Sequence, residues 1–106
     1  MKQVNIETIK ELYSKGSIQW TNHALIRIIQ RNISQKDIKK VLADGEIIEQ
    51  YDNDYPYPSC IVMGPKSGDA KLHVLCGIGD EKLWIITAYK PDREIWDGSL
   101  KQRRDT

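Results

Sequence analysis

No long apolar run, hardly any net charge and no disulfide framework are present in this sequence, and each absence removes a class of protein. A membrane-spanning helix needs about 18 consecutive apolar residues, and the longest uncharged apolar stretch falls well short of that. The N-terminal stretch MKQVNIETIK lacks the apolar segment of a signal peptide, so a cytoplasmic protein with no membrane contact is expected. Sixteen basic residues against fifteen acidic ones leave a formal charge of +1. That excludes the global steering of a small histone-like protein, and a polyanionic partner must be met by a local patch. Phenylalanine is missing altogether. The two cysteines, Cys60 and Cys76, sit in apolar runs without a Cys-x-x-Cys motif, and they read as buried packing residues. A zinc site recruiting them with His73 and His23 is disfavoured, because His73 and Cys76 are three apart in a strand pattern and point to opposite faces unless a bulge intervenes. No paired-carboxylate constellation, Gly-x-Ser-x-Gly elbow, Walker loop or dinucleotide fingerprint occurs. With no repeat, linker or low-complexity tract, residues 1–106 are expected to form one domain.

What is there divides at Glu46. Ile6, Ile9, Leu12 and Tyr13 recur at helical spacing before Gly16. Thr21 is a good N-cap for a second helix reaching about Arg31, and Ser34 with Asp37 resembles a capping box for a third that Gly45 ends. Between the first two, SIQW looks extended. From Glu46 the pattern is that of strands: EIIEQY, SCIVMG, KLHVLCGIG and LWIITAYK, with turn signals at PKSGDA and GDEK. Short links favour antiparallel neighbours. The expected fold is α+β, with two or three N-terminal helices packed on a twisted antiparallel sheet of about four strands.

Two constellations carry candidate chemistry. On the second helix, WTNHALIRIIQR, the residues His23, Arg27, Gln30 and Arg31 fall within an arc of roughly 100°, with Leu25, Ile26, Ile28 and Ile29 on the other side. His23 and Arg27 are one turn apart and can converge on a phosphate, which guanidinium binds bidentately while an imidazole moves a proton near neutral pH. The first helical turn, where His23 lies, also favours an anion. The plain counterpart is a solvated helix face, and Arg31 is the member closest to ordinary surface. On the sheet, keeping the apolar faces together sets Val74 and Cys76 beside Ile86 and Ala88. It gathers His73, Thr87 and Tyr89 on one face and calls for an odd-length or bulged turn at GDEK. There the plain counterpart is a half-buried histidine bonded to a threonine. The C-terminal PDREIWDGSLKQRRDT is expected to dock one short turn, and its KQRR, like Lys36, Lys39 and Lys40 on the third helix, could touch a nucleic-acid backbone, although such charge runs are usually solubility features. YPYPS makes an extended segment able to stack a base or enter a strand.

Taken together, HALIRIIQRNISQKDIKKVLADGEIIEQY, YPYPSCIVMG, LHVLCGI and LWIITAYKPDREIW resemble a small prokaryotic family carried as a domain of unknown function. Members are commonly encoded beside zinc-finger antitoxins of the MqsA type, and their fold is thought similar to RelE-like ribonuclease toxins. The resemblance implies a cytoplasmic, cofactor-independent endoribonuclease toxin acting on RNA, mRNA above all, and held by a cognate zinc-finger antitoxin. It points to His23 and Arg27 as signature residues and covers His73, Thr87 and Tyr89. We expect catalysis from His23, Arg27, Tyr89 and His73, and substrate binding from Arg31, Thr87 and Lys90. The alternative is a noncatalytic module that binds nucleic acid or protein through the same basic helix face.

Overall fold

The computed structural model describes residues 4–65, 71–92, 95–96 and 100–103. Three helices come first: α1 (Ile6–Ser14), α2 (Asn22–Gln30) and α3 (Gln35–Asp44). Their starts follow from side chains that satisfy orphan N–H groups. Asn5 accepts from the Glu7 amide, Thr21 from the Ala24 amide, and Ser34 with Asp37 forms the full reciprocal box. Asn32 leaves α2 with φ of 57°. Gly45 ends α3 for a different reason, since its φ of −84° is open to any residue. A Cβ at Gly45 would lie 2.7 Å from the Met63 carbonyl oxygen and 2.8 Å from Val62 Cγ1, so only glycine lets α3 run directly into the sheet.

The strands are β1 (Ile18–Trp20), β2 (Glu46–Tyr51), β3 (Ser59–Pro65), β4 (Lys71–Gly79) and β5 (Lys82–Tyr89), in the spatial order β1-β5-β4-β3-β2. Strands β2 to β5 form the expected antiparallel meander. The expected count of about four is exceeded by one, because β1 (the extended SIQW) adds parallel to β5 at the edge. Chain connectivity hides this pairing, since every other element except α1 lies between β1 and β5. The predicted PKSGDA turn falls across residues 66–70, outside the described residues.

Register in the last hairpin departs from expectation in one respect. Val74 pairs with Ala88 and His73 with Tyr89, as the apolar-face argument requires. Yet Cys76 lies opposite Ile85, not Ile86, and the shift falls between Leu75 and Cys76. The turn itself is tight: Gly79 pairs with Lys82, and Asp80 and Glu81 both have positive φ, at 54° and 58°, the signature of a two-residue primed turn. The irregularity was therefore expected at the wrong end of the hairpin; it sits at Ile86 in mid-strand. One extra residue there reverses the facing of β5, so Leu83, Ile85 and Ala88 are buried while Thr87 and Tyr89 share the other face with Leu75 and His73. A second bulge in β2, at Ile48, places Glu49 opposite Ile61 and Tyr51 opposite Ser59.

Two apolar clusters cover the two faces of the sheet. The larger joins Ile9, Ala24, Ile28, Ile38 and Val41 of the helices to Val62, Val74, Cys76 and Ile85. The smaller, on the face away from the helices, seats Trp96 and Leu100 of the C-terminal segment on Ile61 and Met63. Ile26 and Ile29 are not part of either, being 55% and 77% exposed; the apolar side of α2 is wider than the sheet it meets. Cys60 and Cys76 are free, buried and directly opposed across β3 and β4. No helix among the described residues is long and apolar enough to cross a membrane.

Candidate functional site at the open edge of β5

β1 pairs only with Leu83 to Ile85, so the rest of β5 forms an edge that no strand covers among the described residues. Helix α2 packs beside that edge. At its start, the Thr21 hydroxyl donates to the Ile85 carbonyl at 3.1 Å. At its end Arg31, the C-cap residue, reaches the strand: Nη1 donates to Thr87 Oγ1 at 3.1 Å and to the Ala88 carbonyl at 2.8 Å. The two bonds satisfy an edge carbonyl and bring the helix stripe to the face that carries Thr87 and Tyr89. Arg31, ranked as ordinary surface by sequence, is thus the stripe member with a tertiary role. Arg27 Nη1 donates to Gln30 Oε1 at 3.1 Å on the helix surface, and His23 is exposed in the first turn. Successive members of the stripe stand about 6 Å apart along the axis.

His73 and Tyr89 lie opposite one another on β4 and β5. His73 is fully buried. Its Nε2 meets the Leu100 carbonyl at 2.7 Å and its Nδ1 the Tyr89 hydroxyl at 3.3 Å. A carbonyl only accepts, so Nε2 carries the proton and Nδ1 accepts from Tyr89. Trp96 closes the other side edge-on, with ring centroids 4.5 Å apart. Burial lowers the His73 pKa, against the opposing effect of the Leu100 carbonyl. Tyr89 is pushed up to about 12, mainly by burial and then by Tyr51, while Arg103 and Arg31 pull the other way. At neutral pH this pair is a neutral imidazole and a protonated phenol. Both ring nitrogens of His73 are engaged inside the protein, so it holds Tyr89 in place. Thr87 bonds Arg31 and not, as the plain counterpart had it, His73. Lys90 is exposed just past β5.

Beside Tyr89 lies an open groove of about 730 Å³, lined by Gln50, Tyr51, Asp52 and Arg103 among others. Here sequence reasoning missed a constellation. The Tyr51 hydroxyl donates to Glu49 Oε1 at 2.5 Å, and Arg103 donates from Nε to Glu49 at 3.3 Å and from Nη2 to Tyr51 at 3.2 Å. Arg103 also covers the Trp96 ring at 4.7 Å. Period-two spacing of Glu49 and Tyr51 in EIIEQY was a usable signal; nothing in KQRR announces that its first arginine folds back onto β2. Lys101 likewise pairs with Glu46 at 2.6 Å, and Arg104 lies outside the described residues. Among the described residues Asp52 Oδ1 is buried without a hydrogen-bond partner. The groove thus sets the Asp52 carboxylate near the Arg103 guanidinium, whereas Arg27 and Arg31 stand on the α2 side. No group of three or more His, Cys, Asp or Glu is placed to share a metal among the described residues.

Thr87, Tyr89, His73 and Arg31 are therefore brought together, while His23, Arg27 and Lys90 stand on the surface around them. No curated protein and no solved structure matches the chain. A family model does, over residues 20–90, a span that contains α2, α3, strands β2 to β5 with the last residue of β1, and every candidate site residue named from sequence. On that match the chain belongs to the family described as Domain of unknown function (DUF4258).

Proposed function

We propose that the chain is an endoribonuclease of the RelE-like toxin kind, cleaving single-stranded RNA, mRNA above all, by attack of a 2′-hydroxyl on the adjacent phosphate. The observation that carries this reading is the Arg31 bridge to Thr87 and Ala88, which links a phosphate-binding helix stripe to a strand face bearing a protonated tyrosine. RNA cleavage without a metal needs a base for the 2′-hydroxyl, positive charge on the phosphorane and an acid for the 5′-oxygen. His23, the exposed imidazole, takes the base role. Arg27 and Arg31 hold the phosphate, and Lys90 adds charge at the strand end. Tyr89, kept protonated, turns its hydroxyl from His73 Nδ1 to donate toward the leaving oxygen, with Thr87 and His73 fixing its surroundings. Products are a 2′,3′-cyclic phosphate and a 5′-hydroxyl.

A labelled single-stranded RNA with end-group analysis tests this. His23→Ala and Arg27→Ala proteins that keep the parent fold are expected to lose about a hundredfold or more in rate. Parent-like cleavage by both would sink the assignment.

A second reading, a noncatalytic binding module, is favoured by Ile26 and Ile29, which stand exposed on α2 beside the stripe. We assign that apolar patch to the cognate zinc-finger antitoxin, which would cover the stripe when it docks. Co-expression of the antitoxin should relieve growth arrest caused by the parent chain and fail with Ile29→Asp. RNA binding without any cleavage would favour the second reading.

A further inference from the structure

A second recess lies next to the groove and has a different chemistry. It measures about 340 Å³ and is lined by Tyr55, Pro56, Tyr57, Trp84 and Ile86, with Thr21 and Asp54 at its rim. Its walls are fixed before any ligand arrives. The Trp84 indole N–H donates to the Gly79 carbonyl at 2.9 Å. The Tyr57 ring lies so close over Gly79 that a Cβ there would overlap it, and Tyr57 and Trp84 stack at 5.9 Å with planes 30° apart. The bulge at Ile86 turns that side chain into the same recess. Asp54 holds the loop, accepting from the Ser59 hydroxyl at 2.6 Å and from the Tyr55 amide at 3.0 Å. Tyr55 stands outside this frame and is 90% exposed, unusual for so large an aromatic residue.

We infer that this recess is a subsite for one unstacked base of single-stranded RNA, with Trp84 and Tyr57 as its wall and Tyr55 as its second stacking face; the inference deepens the ribonuclease reading and rests on it for the choice of RNA. Three observations select a base over another apolar group. Paired flat rings with an exposed third make a stacking platform, which suits every base because each has a π-face. Asp54 lines both this recess and the polar groove, so a base edge carrying N–H donors finds a carboxylate at the rim. Thr21 caps α2, so the recess opens where the His23, Arg27 and Arg31 stripe begins, and a chain with its base seated here would carry its phosphates along the stripe.

The test follows the Trp84 indole N–H and the amide of Gly77, which also lines the recess, by NMR as the full chain is titrated with a 2′-O-methylated single-stranded decanucleotide, which cannot be cleaved by 2′-hydroxyl attack. Both signals should shift saturably, and Tyr55→Ala, a change at an exposed ring, should weaken binding about fivefold or more. The same sequence as a duplex and a nucleoside monophosphate should each shift them far less. Unmoved signals, unchanged affinity in Tyr55→Ala, or equal response to duplex, to the monophosphate or to a proline-rich peptide would each overturn the subsite. Cleavage of unmodified RNA is read separately. Cleavage with silent Trp84 removes the subsite and leaves the nuclease, whereas shifts without cleavage remove the nuclease and leave the subsite.

Discussion

The polar stripe of α2 and the histidine–tyrosine pair beneath the C-terminal segment carry similar residue types in opposite states. Among the described residues His23 and Arg27 are held by the helix that bears them, with Arg27 bonded to its own neighbour Gln30. His73 is enclosed on every side, its nitrogens bonded to Tyr89 and Leu100 and its face covered by Trp96. A histidine in a sequence therefore says little until its enclosure is known. Exposure leaves an imidazole free to exchange a proton with a substrate, and burial with two partners turns it into a brace. Arg31 and Tyr89 are where the two regions touch.

The contrast is broken most severely by uncovering the brace. Trp96→Ala removes the largest side chain of the smaller core and is expected to cost about 3–5 kcal/mol of stability, measured by denaturant unfolding. It should also let the His73 pKa rise toward its ordinary value, as followed by NMR. A cost below about 1 kcal/mol would show that the C-terminal segment does not seal this face.

Arg31→Ala sharpens the comparison at the point of contact. Loss of the bonds to Thr87 and Ala88 is expected to cost about 1 kcal/mol, against less than about 0.5 kcal/mol for Arg27→Ala at the surface. Equal costs would mean that the bridge contributes nothing.

The smallest effect is in pH. Burial lowers the His73 pKa in the folded chain, so the unfolded chain binds a proton first as the pH drops below about 6.5. Stability from this group is complete above that value and declines beneath it. Melting temperature should fall between pH 7.5 and 5.5, and His73→Gln should flatten the dependence. A parent chain with no slope in that window would contradict the enclosure of His73.

Much of the fold was legible because its signals are local. Caps at Thr21 and Ser34, the strand periods and the polar arc on α2 all act within a few residues, and the gathering of His73, Thr87 and Tyr89 on one sheet face follows from keeping apolar faces together. The bulge at Ile86 was assigned to the turn, since one unpaired residue leaves the same period break wherever it sits. Periodicity puts Ile26 and Ile29 on the apolar side of α2, but it cannot tell how wide a surface the sheet offers, and both stay exposed.

By itself the sequence determined the α+β order, the helix boundaries and the polar arc of α2, because capping and periodicity are short-range physics. Only the tertiary structure decided that β1 returns to lie beside β5, that Arg31 bonds the strand, and that Trp96 and Leu100 fold back to enclose His73. Those contacts join residues more than twenty positions apart, and their free energy comes from desolvation and close packing that no local pattern records.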